Sequence, residues 1–187
     1  MIAVTQATSE QDLRGILHLQ GENLATNLSP EERASQGFVT VVHSYEQLSD
    51  LNVQEKHIVA KEGDRVIGYL LAMTQRSKGD IPVLIPMFEM FNELVYGGKR
   101  IADQNYIVVG QVCIDKSYRG KGILDQCYAA YKEYYGNKYS FAITEIATAN
   151  TRSLAAHKRV GFERVKTYAA PDGVDWEVVV WNWRKGP

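Results

Sequence analysis

The stretch YIVVGQVCIDKSYRGKGIL, Tyr106 to Leu124, passes from a nearly continuous apolar run into a turn where two glycines alternate with Arg119 and Lys121. An apolar run of this kind is a strand covered on both faces. Gly110 inside it marks a bulge or a close approach by another group. Beyond the turn, Leu124, Cys127, Tyr128, Tyr131 and Tyr135 recur at helical spacing. A helix that starts at such a turn points its first unpartnered N–H groups outward. Its dipole adds a partial positive charge there, and glycine lets the backbone approach an oxygen without a Cβ in the way. Arg119 and Lys121 add charge. These are the parts of a pyrophosphate site, although "RGKG" alone is more often a solvated surface turn. The stretch is not a P-loop, because no Gly-Lys-Ser/Thr triplet is present. It is not a dinucleotide fingerprint either, because Asp125 stands where that pattern needs glycine.

Working outward, Ile2 to Thr5 reads as a short strand, followed by a helix from a Ser9 cap to about Gln20. Ser29, Pro30 and the acids after them open a second helix that Gly37 ends. HSYEQLSDL is a third, weaker candidate. HIVAKEG and DRVIGYLLAMT form a hairpin across Glu62-Gly63-Asp64. A long connection, 75–105, follows. It is expected to hold a helix with Met87, Phe91, Leu94 and Val95 on one face and Gly97-Gly98 as its stop. After the central stretch come a strand, FAITEIAT, and a helix capped by Asn150 and ended by Gly161. Two strands, FERVKTY and WEVVVWNW, close the chain around a Pro171-Asp172-Gly173 turn. The order predicts one α/β (α+β) domain over 1–187, with a partly antiparallel sheet.

The 187 residues carry 45% hydrophobic and 23% charged side chains with a net charge of −1, which gives no bias toward nucleic acid or anionic membranes. Two cysteines, Cys113 and Cys127, form neither a disulfide framework nor a metal cluster and fit a reducing, cytoplasmic setting. His18, His43 and His57 are scattered and suggest no metal site. The N-terminus lacks a signal-peptide pattern, and no apolar run spans a bilayer. Trp176, Trp181 and Trp183 read as core or as an interface, such as that of a homodimer.

Taken together, VCIDKSYRGKGIL, ITEIATAN and SLAAHKRVGF resemble the GNAT superfamily of acyl-CoA-dependent N-acyltransferases. Its pattern is an apolar strand, R/Q-x-x-G-x-G/A, a helix, a strand, an asparagine and a helix ending in Tyr-x-x-x-Gly-Phe. The resemblance covers Tyr106 to Tyr168, with VIGYLL similar to the family's third strand. It implies a mixed, largely antiparallel sheet of about six to seven strands with helices on both faces. It also implies a pair of parallel strands that splay apart around acetyl-CoA, which serves as co-substrate without a metal. Val112, Cys113 and Ile114 would meet the pantetheine arm through their backbone, and an N–H near Val112 or Cys113 would polarise the thioester. Arg119, Gly120, Lys121, Gly122, Ile123 and Leu124 would hold the pyrophosphate by their backbone amides. Asn150 would contact the CoA arm, or serve as a helix cap alone. Two positions depart from the pattern: Leu124 stands where glycine or alanine is usual, and His157 where tyrosine is usual.

The catalytic pair implied by the resemblance is Glu145, as base toward an amine, and His157, as acid toward the leaving thiolate. An unperturbed histidine is partly protonated near neutral pH, so activity should decline on the alkaline side if His157 is that acid. The plainer alternatives are a solvent-facing strand glutamate and a histidine without a chemical role. Cys113 lacks a nearby histidine and is a poor nucleophile candidate. The implied acceptor is a small-molecule or peptide amine. Glu89 and Glu93 either face a cationic acceptor or lie on a solvated helix face. The 75–105 segment is the expected acceptor-site element. Two other readings stay open: a non-catalytic CoA-binding domain on the same fold, and a nucleotide-binding α/β domain using the same loop.

Overall fold

The computed structural model describes residues 1–171 and 173–184, with only the backbone of Ala34. Asp172 of the expected turn and the last three residues of the 1–187 domain lie outside the described residues. The strands are β1 (Ile2–Gln6), β2 (Ile58–Glu62), β3 (Arg65–Met73), β4 (Val95–Tyr96), β5 (Lys99–Arg100), β6 (Tyr106–Ile114), β7 (Phe141–Ala147), β8 (Glu163–Ala169) and β9 (Asp175–Asn182). The helices are α1 (Glu10–Asn23), α2 (Pro30–Gln36), α3 (Tyr45–Gln54), α4 (Ile85–Glu93), α5 (Ile123–Tyr135) and α6 (Thr151–Val160). Seven strands form one sheet in the order β1-β2-β3-β6-β7-β9-β8, and β4 and β5 form a separate hairpin.

Local chemistry sets these boundaries. Ser9, Ser29 and Ser44 each accept a hydrogen bond from the third helical N–H, and each cap's own N–H donates to the side chain of that third residue. Alternation along the strands divides the core between two faces. Ile107, Val109, Ala142 and Val179 pack under α5 with Cys127, Tyr128, Tyr131 and Tyr135. On the opposite face Tyr106, Val108, Ile143 and Val178 pack with Met87, Phe88 and Phe91 of α4. Tyr69 and Leu71 pack there with Leu13, Ile16 and Leu19 of α1.

The 75–105 segment does hold a helix, but it is shorter than the spacing predicts. Helix α4 stops at Glu93, and Val95 is exposed at the start of a hairpin that turns on Gly97-Gly98, both at positive φ. A glycine pair at positive φ suits a tight hairpin turn as well as a helix stop.

The strands β6 and β7 are parallel, as expected, and pair only at Tyr106–Phe141, Ile107–Ala142 and Val108–Ile143. Beyond that point each continues without the other, supported by β3 and β9 respectively. Opposite β3, the residues Gly110 and Gln111 of β6 face the single Leu71, which is a bulge. A Cβ on Gly110 would lie 2.0 Å from Met73 Sδ, so the bulge and the close approach expected from the sequence coincide here.

Candidate active site

Two cavities open on either side of the splay. The larger, about 620 Å³, is bounded by the 36–39 segment, the end of β6, the 118–125 turn and one side of α6. The smaller, about 90 Å³, lies toward α4 and includes Val41, Leu84, Met87, Gln111, Glu145 and Trp176. Both are lined by Phe38, Val39, Val112, Asn150, Ser153 and His157. A ligand that reached this junction would be in contact with both.

The turn is built as an anion cradle would be. Gly120 and Gly122 have φ of +76° and +75°, and open space surrounds the position of an added Cβ on each. Gly122 caps α5 with no side-chain acceptor for the first N–H groups, which leaves these donors to a ligand or to water. Leu124, in the first turn, is partly buried against the α5 core and also lines the larger cavity. Asp125 lines it too, paired with Arg159 at 3.0 Å on an exposed surface.

The basic residues behave differently from the expectation. The Arg119 guanidinium donates to the Ile114 carbonyl at 2.9 Å, the Gln36 carbonyl at 2.9 Å and Asn23 Oδ1 at 2.6 Å. Its charge thus joins β6, α1 and α2 instead of standing free for an anion. The Lys121 ammonium lies 5.0 Å over the Tyr118 ring, and Lys121 is not part of the cavity lining. What this turn offers an anion is backbone.

Strand geometry fixes the direction of the N–H groups at the end of β6. The Asp115 N–H donates to the Ile67 carbonyl of β3, so the Cys113 N–H also points to β3. The Val112 and Ile114 N–H groups therefore point into the opening. Cys113 is buried, and burial pushes its thiol up to about 12, which keeps it protonated and unreactive.

Asn150 acts as the cap: its Oδ1 accepts from the Ser153 N–H at 3.3 Å, while Nδ2 donates to the Phe38 carbonyl at 3.1 Å. It thereby fixes the 37–38 segment against α6. His157 is 2% exposed, and burial pulls its pKa down to about 4. Nδ1 lies 2.8 Å from the Ser153 carbonyl and must donate to it, which leaves Nε2 to accept from the Tyr128 hydroxyl at 2.6 Å. The ring is thus held neutral with both nitrogens engaged, whereas a role as acid calls for a protonated one. Ser153 Oγ lies 3.3 Å from the same Nδ1. The Ser153 hydroxyl, at the junction of the two cavities, was missed in the sequence. Its place three residues after a capping asparagine is the signal that could have found it.

Glu145 is partly buried and lines the smaller cavity, and its Oε2 accepts from the Tyr168 hydroxyl at 2.5 Å. Glu89 and Glu93 are exposed on α4 and line neither cavity. A buried polar network also escaped the sequence reading. Gln111 Oε1 accepts from the Tyr69 hydroxyl at 2.6 Å and from Gln20 at 2.9 Å, and Gln111 Nε2 donates to the Val41 carbonyl at 2.9 Å. Gln20 also bonds the His43 ring and backbone. The bulge of β6 is thereby tied to the wall of the smaller cavity. No group of metal-ligating side chains occurs among the described residues.

The profile of the acetyltransferase (GNAT) family matches residues 22–162. The chain belongs to the GNAT family. Solved structures agree on the fold of this GNAT protein. The NatC complex bound to Gag peptide and CoA contains a chain with 15% identity and a TM-score of 0.64, the alignment covering 97% of this chain and 98% of that one. Escherichia coli ribosomal-protein-S18-alanine N-acetyltransferase gives 11% identity and 0.61, over 100% and 97%. A spermidine N-acetyltransferase chimera from Vibrio cholerae and hSSAT gives 14% and 0.61, over 98% and 96%. Among curated protein sequences none matches. No helix among the described residues is long and apolar enough to cross a membrane.

Proposed function

We propose that this GNAT protein is an N-acyltransferase that moves an acyl group, acetyl by default, from acyl-CoA to a primary amine by direct attack with both substrates bound. The observation that carries this reading is the meeting of the two cavities at Val112, Ser153 and His157. One cavity ends in a glycine turn with free helix donors, and the other contains a carboxylate. Acyl-CoA supplies an activated thioester. The 119–124 backbone, with Ile123 and Leu124 opening α5, would hold its pyrophosphate. The edge of β6 from Val112 through Cys113 to Ile114 and the side chain of Asn150 would orient its arm.

The remaining chemistry belongs to the chain's own groups. The Val112 N–H donates to the carbonyl oxygen as charge builds there. Glu145, directly or through one water, accepts the proton that the amine loses as its C–N bond forms. The C–S bond breaks with its electron pair on sulfur. Neutral His157 does not protonate that thiolate; it holds Ser153, whose hydroxyl donates a hydrogen bond to it. The thiolate, with a pKa of roughly 8.5, takes its proton from water after release.

The smaller cavity also bears on the acceptor. One carboxylate among Leu84, Met87, Val109 and Trp176 suits an amine with a single cation beside an apolar group, in a peptide or a small molecule. A polyamine is a poorer match. Two free cysteines fit a cytoplasmic setting.

Release of free CoA thiol is measured across apolar primary amines, peptides and polyamines, with thermal shift by acetyl-CoA, ATP and NAD alongside. Stabilisation by acetyl-CoA with turnover of apolar amines is expected. Stabilisation without turnover of any amine would favour a non-catalytic CoA-binding domain, for which the engaged His157 ring is the structural argument. Stabilisation by ATP alone would sink the acyltransferase reading.

A further inference from the structure

Tyr168 stands on β8, the outermost strand, and has no place in the reading above. Its hydroxyl nevertheless crosses β9 to reach Glu145 on β7. The register explains how. Val178 lies opposite Glu145, Trp176 opposite Ala147, and Tyr168 opposite Trp176, which puts Glu145 and Tyr168 on one face and two residues apart along the strands. A tyrosine is long enough to span that diagonal.

We propose that Tyr168 is a positioning residue for the acceptor amine, fixing the orientation of the Glu145 carboxylate and favouring its ionised form. The proposal rests on Glu145 acting as the base. A carboxylate beside Leu84, Met87 and Trp176 loses water that would otherwise stabilise its charge. A hydrogen bond donated to the charged form opposes that loss, and donors to charged groups are stronger than neutral ones. One orientation also leaves the carboxylate edge aimed at the cavity in the same place for every amine that enters.

Among the described residues, other titratable groups face this region as well. Lys166 of β8 sits opposite Val178 on the same face but is exposed. From α6 the lining group is His157, neutral across the working range. From β6 it is the uncharged amide Gln111, and the segment leading into α4 contributes only Leu84 and Met87. Glu177 of β9 pairs with Arg164 at 3.7 Å.

The test is the pH profile of kcat/KM for wild type, Tyr168→Phe and Glu145→Gln with the best amine from the panel, alongside melting temperature and acetyl-CoA affinity. Tyr168→Phe removes one oxygen and keeps the ring. It is expected to move the acidic limb upward by about one pH unit, lowering activity about tenfold at the foot of that limb. At the alkaline plateau the loss should stay within about threefold, and acetyl-CoA affinity should hold. Glu145→Gln is expected to abolish the limb. If Tyr168→Phe lowers activity equally at every pH, or leaves the limb where it was while Glu145→Gln removes it, the positioning role is overturned and Glu145 stands as base. If Glu145→Gln keeps both activity and profile, the base assignment falls, and the role of Tyr168 falls with it.

Discussion

The two sides of the splayed strands are built from different materials. On the larger-cavity side the groups free for a ligand are backbone: the Val112 N–H and the donors at the head of α5, with the Arg119 side chain fully engaged elsewhere. The smaller-cavity side is lined by side chains, Glu145 and the apolar wall around it, held by Tyr168 and by the Gln111 network. Backbone recognition tolerates many sequences, so that side is set by a few glycines and by strand geometry. Side-chain recognition changes with each substitution, so that side is where one member can differ from another.

The largest expected effect crosses both sides. His43 beside the smaller cavity, His57 in the core and His157 at the junction are all buried and neutral, with pKa values lowered by burial to about 4, about 3 and about 4. The unfolded chain binds protons at these positions below about 6.5, and the folded chain does not. Their stabilisation is therefore complete above pH 6.5 and is lost as pH falls toward 4. Each would contribute about 1–3 kcal/mol, and denaturant melts between pH 7 and 4 measure the sum. A flat curve over that window would show that these rings reach solvent.

Next, Glu145→Gln should lower kcat/KM by about 100-fold or more with little change in acetyl-CoA affinity. A loss confined to KM for acetyl-CoA would place Glu145 on the wrong side of the comparison. Gly122→Val has the opposite signature. A branched residue at φ +75° costs roughly 1–2 kcal/mol of backbone strain and crowds the cradle. Calorimetry should show acetyl-CoA affinity about tenfold weaker, with KM for the amine unchanged. Ser153→Ala should lower kcat about tenfold through the lost hydrogen bond to sulfur, and equal loss in both KM values instead would indicate a merely structural serine. The smallest effect is Leu124→Ala, expected to tighten acetyl-CoA about threefold by opening the first turn. Unchanged affinity would mean that the cradle already accommodates leucine.

The sequence made the larger-cavity side legible because its determinants are punctuation. Gly110, the Gly120 and Gly122 turn, the Asn150 cap and the Gly161 stop each mark a backbone event, and the elements around them form where their spacing predicts. The smaller-cavity side was legible only in part. Glu145 was singled out through family resemblance, whereas its contact with Tyr168 was not, because a contact across two strands leaves no local pattern. Gln20, His43 and Gln111 are polar residues buried in mutual bonds, and in sequence such residues look like surface. Leu94 and Val95 continue a helical face on paper, whereas the Gly97-Gly98 turn draws Val95 into a hairpin. The state of His157 depends on Tyr128, a residue 29 positions away, and on burial that periodicity does not report.

Arg119 gives the motif a second meaning. The most conspicuous charge in the glycine turn works as a joint, holding the ends of β6, α1 and α2 together by hydrogen bonds to Ile114, Asn23 and Gln36. The α2 end leads through Gly37 into Phe38 and Val39, which wall both cavities. The glycine turn and the wall shared by the two cavities are thus fastened to one joint, and a substitution at Arg119 would loosen both.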